Sequence, residues 1–298
     1  VLSNGFYQPL NAIPEKIIPG VVTELNPQVR RLTAPNPGVM TGAGTNTYIV
    51  GERILAVIDP GPAIDAHVQR LIDAVGDRLR WILCTHTHLD HSPAARALQH
   101  ATGAQVLGMR AADDGRQDTT FAPDRVLRDN DTVDLGHCVL RAVHTPGHVA
   151  NHLCYLLEQQ QLLFTGDHIM QGSTVVITPP GGDMSDYLAS LEKLLRIDIA
   201  ELAPGHGHVI AHPHEEIRRL IAHRLKREQK VLDAFAKKNP ATLDELLPLA
   251  YDDVPEKIHH VARRSLHAHL LKLLRDSRVT ESAGYWSRSL SDLAPTNS

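Results

Sequence analysis

A chain of 298 residues with 42% hydrophobic content can bury one large core and a smaller second one. No apolar run approaches the roughly 20 residues that span a bilayer, and three cysteines without framework spacing argue against a disulfide-stapled domain. The net charge is −4, and Val1-Leu2-Ser3-Asn4-Gly5 shows no basic-then-apolar export signal, so a cytoplasmic protein is expected, although a Val start leaves room for a removed targeting segment.

In chain order, Thr47-Tyr48-Ile49-Val50 and Ile54-Leu55-Ala56-Val57-Ile58 read as strands. Asp59 follows the second and precedes Pro60-Gly61, where it either orients a ligating histidine or simply forms the turn. Trp81-Ile82-Leu83-Cys84 is a short apolar run typical of a buried strand. Ser92-Pro93 predicts a helix start, with Ser92 as N-cap and Pro93 at the first helical position. Between strand and helix lies Thr85-His86-Thr87-His88-Leu89-Asp90-His91, which packs four potential metal ligands into six residues. Three imidazoles and a carboxylate this close suit a site for divalent cations better than a core or a solvated face. They sit on a strand-to-helix connection, where layered α/β folds usually carry function.

Three later segments offer further ligands. Gln105-Val106-Leu107-Gly108 reads as another strand, and His144-Thr145-Pro146-Gly147-His148 is then a rigid turn with histidine at each end, either of which is a candidate. Leu162-Leu163-Phe164-Thr165-Gly166-Asp167-His168 is an apolar run that stops at a carboxylate. Leu202-Ala203-Pro204-Gly205-His206-Gly207-His208 is a second apolar approach to a Pro-Gly turn. Helical periodicity separates them, with Leu188, Leu191 and Leu195 in a segment that begins at Ser185. His152 reads as a neighbour of the ligands or a substrate contact. His208, His212 and His214 read as loop residues around His206, and His223, His259, His260, His267 and His269 as structural residues on helices.

Glu215 to Ala236 predicts one long helix with Ile217, Leu220, Ile221 and Leu225 on one face. Thr242 and Glu245 have capping-box spacing, a third helix ends near Arg275, and Tyr285-Trp286 lies in a stretch that suits a two-stranded wing. The expected organisation is a catalytic domain over residues 1–212 and a helical, winged-helix-like domain over 213–298.

The four ligand segments, in this order, resemble the metallo-β-lactamase superfamily. The resemblance implies an α/β protein, an αββα sandwich with two metals at one edge. It implies that His86, His88 and His148 hold the first metal, that Asp90, His91 and His206 hold the second, and that Asp167 bridges them. Two cations held about 3.5–4 Å apart share a hydroxide nucleophile and favour an anionic transition state. The catalytic candidates are therefore Asp167 and Asp90, the latter also accepting or delivering a proton. Zinc is the first expectation for the two divalent ions, with manganese and iron accepting the same nitrogen and oxygen set. True zinc β-lactamases resemble this pattern without the bridging Asp, and no cysteine here falls at a ligand position, so antibiotic cleavage is disfavoured.

Outside the ligands, Asn36-Pro37-Gly38, Gly44-Thr45-Asn46-Thr47-Tyr48 and Val57-Ile58-Asp59-Pro60-Gly61 resemble the β-lactamase-like protein 2 group. That group includes endoribonucleases that cut single-stranded RNA and related fungal polyketide thioesterases. Two departures stand out: His168 after the bridging Asp, and Pro179-Pro180-Gly181-Gly182 in a loop expected near the metals. Residues 211–298 hold fifteen Lys and Arg against twelve Asp and Glu, a net of +3 that leaves −7 for the rest. Arg218, Arg219, Arg224, Lys226, Arg227 and Lys230 on the long helix, then Arg263, Arg264, Lys272, Arg275 and Arg278, form either a solvated face or a groove for a nucleic-acid backbone. Aromatic content of only 4% gives little support to a base-stacking platform. The expectation is a dinuclear hydrolase of single-stranded RNA, with a thioester or lactone hydrolase as the rival and no membrane partner.

Overall fold

All four residues of Leu55-Ala56-Val57-Ile58 are buried, yet they divide by parity between two cores. Leu55 and Val57 pack under helices, whereas Ala56 and Ile58 face a second sheet. A strand buried on both faces shows no polar alternation, and this continuous apolar run is what the sequence displays. The computed structural model describes residues 16–111 and 114–289. The N-terminal stretch read for an export signal lies outside the described residues.

The first sheet runs β1 (Val22–Asn26), β2 (Val29–Thr33), β3 (Asn46–Gly51), β4 (Leu55–Ile58), β5 (Leu79–Leu83), β6 (Gln105–Gly108) and β7 (Arg125–Val126), adjacent in that order. Pairing is antiparallel from β1 to β4 and parallel from β4 to β7. The second sheet has the order β12-β11-β10-β9-β8, from β8 (Thr132–Asp134), β9 (Val139–His144), β10 (Leu153–Leu157), β11 (Leu162–Gly166) and β12 (Glu201–Pro204). Between the sheets lies a core that includes Leu83, Leu107, Tyr155 and Phe164.

Helices cover both outer faces. Leu71 and Val75 of α1 (Asp65–Val75) and Ala95 and Leu98 of α2 (Ala94–Thr102) pack on the first sheet. Tyr187, Leu188 and Leu191 of α3 (Met184–Leu194) pack on the second, with Ile217 and Leu220 of α4 (Pro213–Ala234) beside them. The result is the αββα sandwich expected from the sequence.

A smaller module follows. It comprises the end of α4, α5 (Leu243–Ala250), α6 (His259–Arg275) and a sheet of β13 (Ala241–Thr242), β15 (Tyr285–Arg288) and β14 (Val279–Ser282), in that order. Thr242 and Glu245 form the expected reciprocal capping box. The wing gains a third strand because β13 pairs with β15. α4 serves two cores, with Ile217 and Leu220 in one and Val231 and Leu232 in the other.

Two local expectations are corrected. Ser92 does not cap α2: the cap position is Pro93, and the Ser92 hydroxyl donates to Asp118 Oδ2 at 2.8 Å instead. That charge-assisted bond holds the Ser92 side chain toward the buried carboxylate, and the cap position has no side-chain hydrogen bond. Leu225 is 48% exposed, whereas Ile217 and Leu220 are buried, because the helix turns that position away from the core.

Candidate metal centre

Every ligand candidate lies just beyond the C-terminal end of a strand, and the four strand ends meet at one edge of the sandwich. His86, His88, Asp90 and His91 follow β5, His148 follows β9, Asp167 follows β11, and His206 follows β12. Two glycines allow the close approach. Gly166 has φ +47°, and a Cβ there would stand 2.4 Å from Thr85 Oγ1. At Gly205 a Cβ would stand 2.8 Å from His91 Cε1 and 2.9 Å from Asp167 Oδ1.

The donor atoms form two groups, His86, His88, His148 and Asp167 in one and Asp90, His91 and His206 in the other. In the first, His88 Nδ1 is 3.0 Å from both His86 Nε2 and His148 Nε2, and His148 Nε2 is 3.8 Å from Asp167 Oδ2. In the second, Asp90 Oδ2 is 3.4 Å from His91 Nε2 and 3.3 Å from His206 Nε2. The other Asp167 oxygen reaches this group, with Oδ1 at 3.3 Å from His91 Nε2 and 3.2 Å from His206 Nε2. A tetrahedral ion with bonds of roughly 2.0–2.1 Å has donor-to-donor edges of about 3.3 Å. These separations therefore fit donors that converge on a cation.

The outer nitrogens determine what the inner ones offer. His148 Nδ1 donates to Val176 O at 2.9 Å, and His206 Nδ1 to Gly44 O at 3.2 Å. Carbonyl oxygens only accept, so both rings carry a proton on Nδ1 and turn Nε2 toward the centre. Thr85 Oγ1 donates to Asp59 Oδ2 at 2.8 Å and accepts from His86 Nδ1 at 3.0 Å. His91 Nδ1 donates to the same Asp59 Oδ2 at 2.9 Å. Four imidazoles are thus oriented by the acceptors behind them. His91 Nε2 and Asp167 Oδ1 are buried and have no hydrogen-bond partner. Buried polar atoms without partners are costly, and a cation between them removes the cost.

Charge divides the site. Burial, reinforced by neighbouring imidazoles, holds His86 far below the usual histidine range and His88 down to about 4. Burial also lowers His148. Burial opposes protonation of His206 too, but Asp167 and Asp90 outweigh it and raise that ring to about 9. His91 is raised by Asp90, Asp167 and Asp59 against the same burial. Both carboxyls are correspondingly depressed, despite burial, by His91 and His206. Two imidazoliums and two carboxylates balance each other here, and bound cations would take over from the two protons.

All seven candidate ligands come together. Asp59 is an orienting residue as well as a strand end. His144 joins neither group, since its Nε2 bonds to Ala150 O. His152 is fully buried, with its ring stacked on His86 at 5.2 Å between centroids. His214 bonds to Ile197 O. Sequence reasoning assigned no role to Asn46, Thr45 or Arg116. Asn46 Nδ2 donates to Pro204 O at 3.0 Å and Gly207 O at 2.8 Å, clamping the turn that carries His206. Thr45 Oγ1 lies 3.3 Å from Asp90 Oδ2. The available signal was a run of polar residues, Thr45-Asn46-Thr47, at the start of a buried strand.

A cavity of about 210 Å³ opens onto His88, Asp90, His148, Asp167 and His206, with Arg116 and Arg264 on its wall. Both arginines are exposed. Most of the other cations are already engaged. Arg224 is buried, donates to Val175 O and lies 5.1 Å above the Tyr187 ring. Arg227 is buried and donates to Ala250 O at 2.6 Å and Asp253 Oδ1 at 2.7 Å. Lys272 pairs with Glu228 and Asp276, Lys230 with Asp252, and Arg275 with Asp183. Among the described residues no helix is long and apolar enough to cross a membrane.

Residues 40–206 match the model of the metallo-beta-lactamase superfamily, and residues 242–286 match that of the beta-lactamase associated winged helix domain. A beta-lactamase-like protein 2 homolog from Drosophila melanogaster is 33% identical over 286 residues, which is 90% of this chain and 95% of the relative. An atrochrysone carboxyl ACP thioesterase from Aspergillus fumigatus is 31% identical over 224 residues, 72% of this chain and 67% of that one. A metallo-beta-lactamase family protein from Thermus thermophilus has a similar structure, with TM-score 0.74 and 20% identity over 89% of this chain and 99% of its own.

Proposed function

The chain belongs to the metallo-beta-lactamase superfamily, a family of metallohydrolases, and from that premise we propose that it hydrolyses a small acyl thioester or ester. We assign His86, His88 and His148 to one metal, Asp90, His91 and His206 to the other, and Asp167 to the bridge. The observation behind this assignment is that the Nδ1 atoms of His86, His91, His148 and His206 are held by fixed acceptors, which turns each Nε2 toward the centre. Bound there, two divalent cations lower the pKa of water and polarise a carbonyl. Zinc is proposed first because borderline ions favour imidazole with carboxylate, and manganese and iron take the same donors.

The protein's own groups have distinct tasks. Asp167 presents one oxygen to each donor group, which fixes their spacing. Asp90 carries a depressed carboxyl pKa, so it neutralises charge and is a weak base. Arg116 and Arg264 bring two guanidiniums to the cleft, where they can hold an anionic portion of a leaving group.

Acyl chemistry is preferred over RNA because the helix that suggested a nucleic-acid groove directs Arg224 and Arg227 inward. A relative whose name specifies an acyl-carrier thioesterase supports the same preference. RNA remains the second reading on the strength of Arg116 and Arg264, which suit a phosphodiester equally well. We keep the division into a catalytic domain over 1–212 and a winged-helix domain over 213–298 as a proposal, with α4 as the connection. A cytoplasmic location is proposed on three buried free thiols, which suit a reducing compartment.

The test is a parallel assay of metal-loaded protein on acyl thioesters and on single-stranded RNA, with Asp167→Ala as control. Thioester turnover that vanishes in the variant supports the proposal. RNA cleavage without thioester turnover reverses the order of the two readings.

A further inference from the structure

A second cavity, of about 270 Å³, adjoins the metal cleft and shares Met40, Met170, Val175 and Val176 with it. Its far wall comes from the C-terminal module, with Val254 after α5 and Val261, Ala262 and Ser265 on α6. The two guanidiniums on its lining are largely engaged by protein groups. Arg224 Nη2 donates to Val175 O, with the buried Nε left without a partner, and Arg227 donates to Ala250 O and Asp253. At the mouth, Val39 is 94% exposed and Met40 52% exposed. Apolar side chains kept in water beside an apolar hollow gain when an apolar group covers them.

This wall is tied to the chemistry. Val176 O accepts the His148 Nδ1 proton at 2.9 Å, so the residue that lines the cavity also orients a metal-ligand candidate. Gly182 holds the other end of the same loop against the His148 turn, where a Cβ would stand 2.7 Å from His148 O. Arg224 fixes the loop from α4 through Val175 O. A carbonyl seated in the metal cleft therefore has an apolar direction in which to extend, across Val176 toward α6.

We infer that this cavity is the acyl subsite: it takes a straight or compact apolar acyl group and sets the chain length that the enzyme prefers. The inference rests on the acyl-hydrolase reading above. Specificity then depends on the C-terminal module, which supplies half of the pocket without contributing a metal ligand. The reaction breaks the carbonyl–sulfur bond, water supplies oxygen to the acid, and the thiol leaves with a proton.

The experiment measures kcat/KM of metal-loaded protein on N-acetylcysteamine thioesters of straight-chain acids from acetyl to decanoyl. Each methylene that enters the cavity raises kcat/KM roughly fourfold until the space is filled. Val261→Phe narrows the pocket and is expected to lower the octanoyl-to-acetyl ratio at least tenfold. Val254→Ala enlarges it and shifts the optimum to longer chains, a gain that a damaged fold cannot produce. Acetyl turnover with a flat length profile, or variants that leave the ratio unchanged, overturns the subsite and leaves the hydrolase reading in place. No thioester turnover at any length, with RNA cleaved, overturns both.

Discussion

Asp59 and His91 are joined by a 2.9 Å hydrogen bond from the ring Nδ1 to carboxylate Oδ2, so the end of β4 orients a ligand candidate carried on the loop after β5. The same carboxylate accepts the Thr85 backbone N–H at 2.7 Å and the Thr85 hydroxyl at 2.8 Å. Because Thr85 in turn accepts from His86, one buried acid orients a ring in each donor group.

Asp59→Asn is expected to unbalance this arrangement with little change in shape. The amide oxygen can still accept from the Thr85 backbone N–H, but the amide NH2 would face both the His91 Nδ1 proton and the Thr85 hydroxyl, which share Asp59 Oδ2. The ring then moves its proton to Nε2 and loses the lone pair aimed at the cation. Metal affinity should fall most, about 10–100-fold, at the site His91 serves, where the contact with Asp59 is direct. Elemental analysis after gel filtration should show a loss toward one metal per chain, with circular dichroism unchanged. Two tightly held metals in the variant would refute the orienting role.

Proton linkage gives a second test. His206 in the metal-free protein titrates at about 9, and His91 is raised as well. Both must shed a proton before their Nε2 atoms can bind a cation. Metal binding at pH 7 therefore releases protons, and affinity should rise with pH through about 9, where His206 loses its proton. His86, His88 and His148 are lowered and add nothing to the slope in this range. Calorimetry in buffers of different ionisation enthalpy measures the released protons. Zero release at pH 7 would contradict the assignment of the second donor group.

Much of this centre was legible because its ligands are reactive residue types at the ends of apolar runs. His86, His88, Asp90 and His91 announce themselves by crowding, and Asp167 by ending the run Leu162–Gly166. The sandwich was legible through β4 and β5, and the C-terminal module through the Thr242 box. Sequence spacing did not reveal which polar residues face inward. Arg224 and Arg227 lie three apart on one helix face, and that spacing suits a basic stripe as well as a buried pair. Only the packing of Tyr187 and Tyr251 against them shows which it is. Ser92 is not the cap residue, and its hydroxyl is turned to a partner 26 residues away, Asp118, that no local spacing reveals. The acyl cavity was equally hidden, since Val176 and Val261 are ordinary apolar residues until the chain brings them together.

Charge reversal on α4 should therefore separate structure from recognition. Arg227→Glu would place a carboxylate in a buried position beside Asp253, whose own carboxyl is held down to about 2 by Arg227. Loss of the pair leaves repulsion and an unsatisfied Ala250 carbonyl. The expected cost is about 2–3 kcal/mol, read as a lower melting temperature of the metal-loaded protein. Arg218→Glu with Lys226→Glu, both at exposed positions of the same helix, should leave the melting temperature within a degree or two. Equal effects from the two changes would mean that Arg227 is only a surface charge.

Arg264 presents the opposite case, a cation of the C-terminal module that is exposed at the metal cleft with no acceptor among the described residues. An arginine placed there suits the phosphate of a leaving group such as coenzyme A or phosphopantetheine. Arg264→Ala should raise KM for a coenzyme A thioester about tenfold, the order expected for one hydrogen bond to a charged group. The N-acetylcysteamine thioester of the same acid lacks the phosphate, so its KM should change less than twofold. The difference between the substrates isolates the guanidinium, because damage to the metal centre would depress both. Parallel changes in the two would assign Arg264 to the structure of the cleft and leave Arg116 to meet the anion alone.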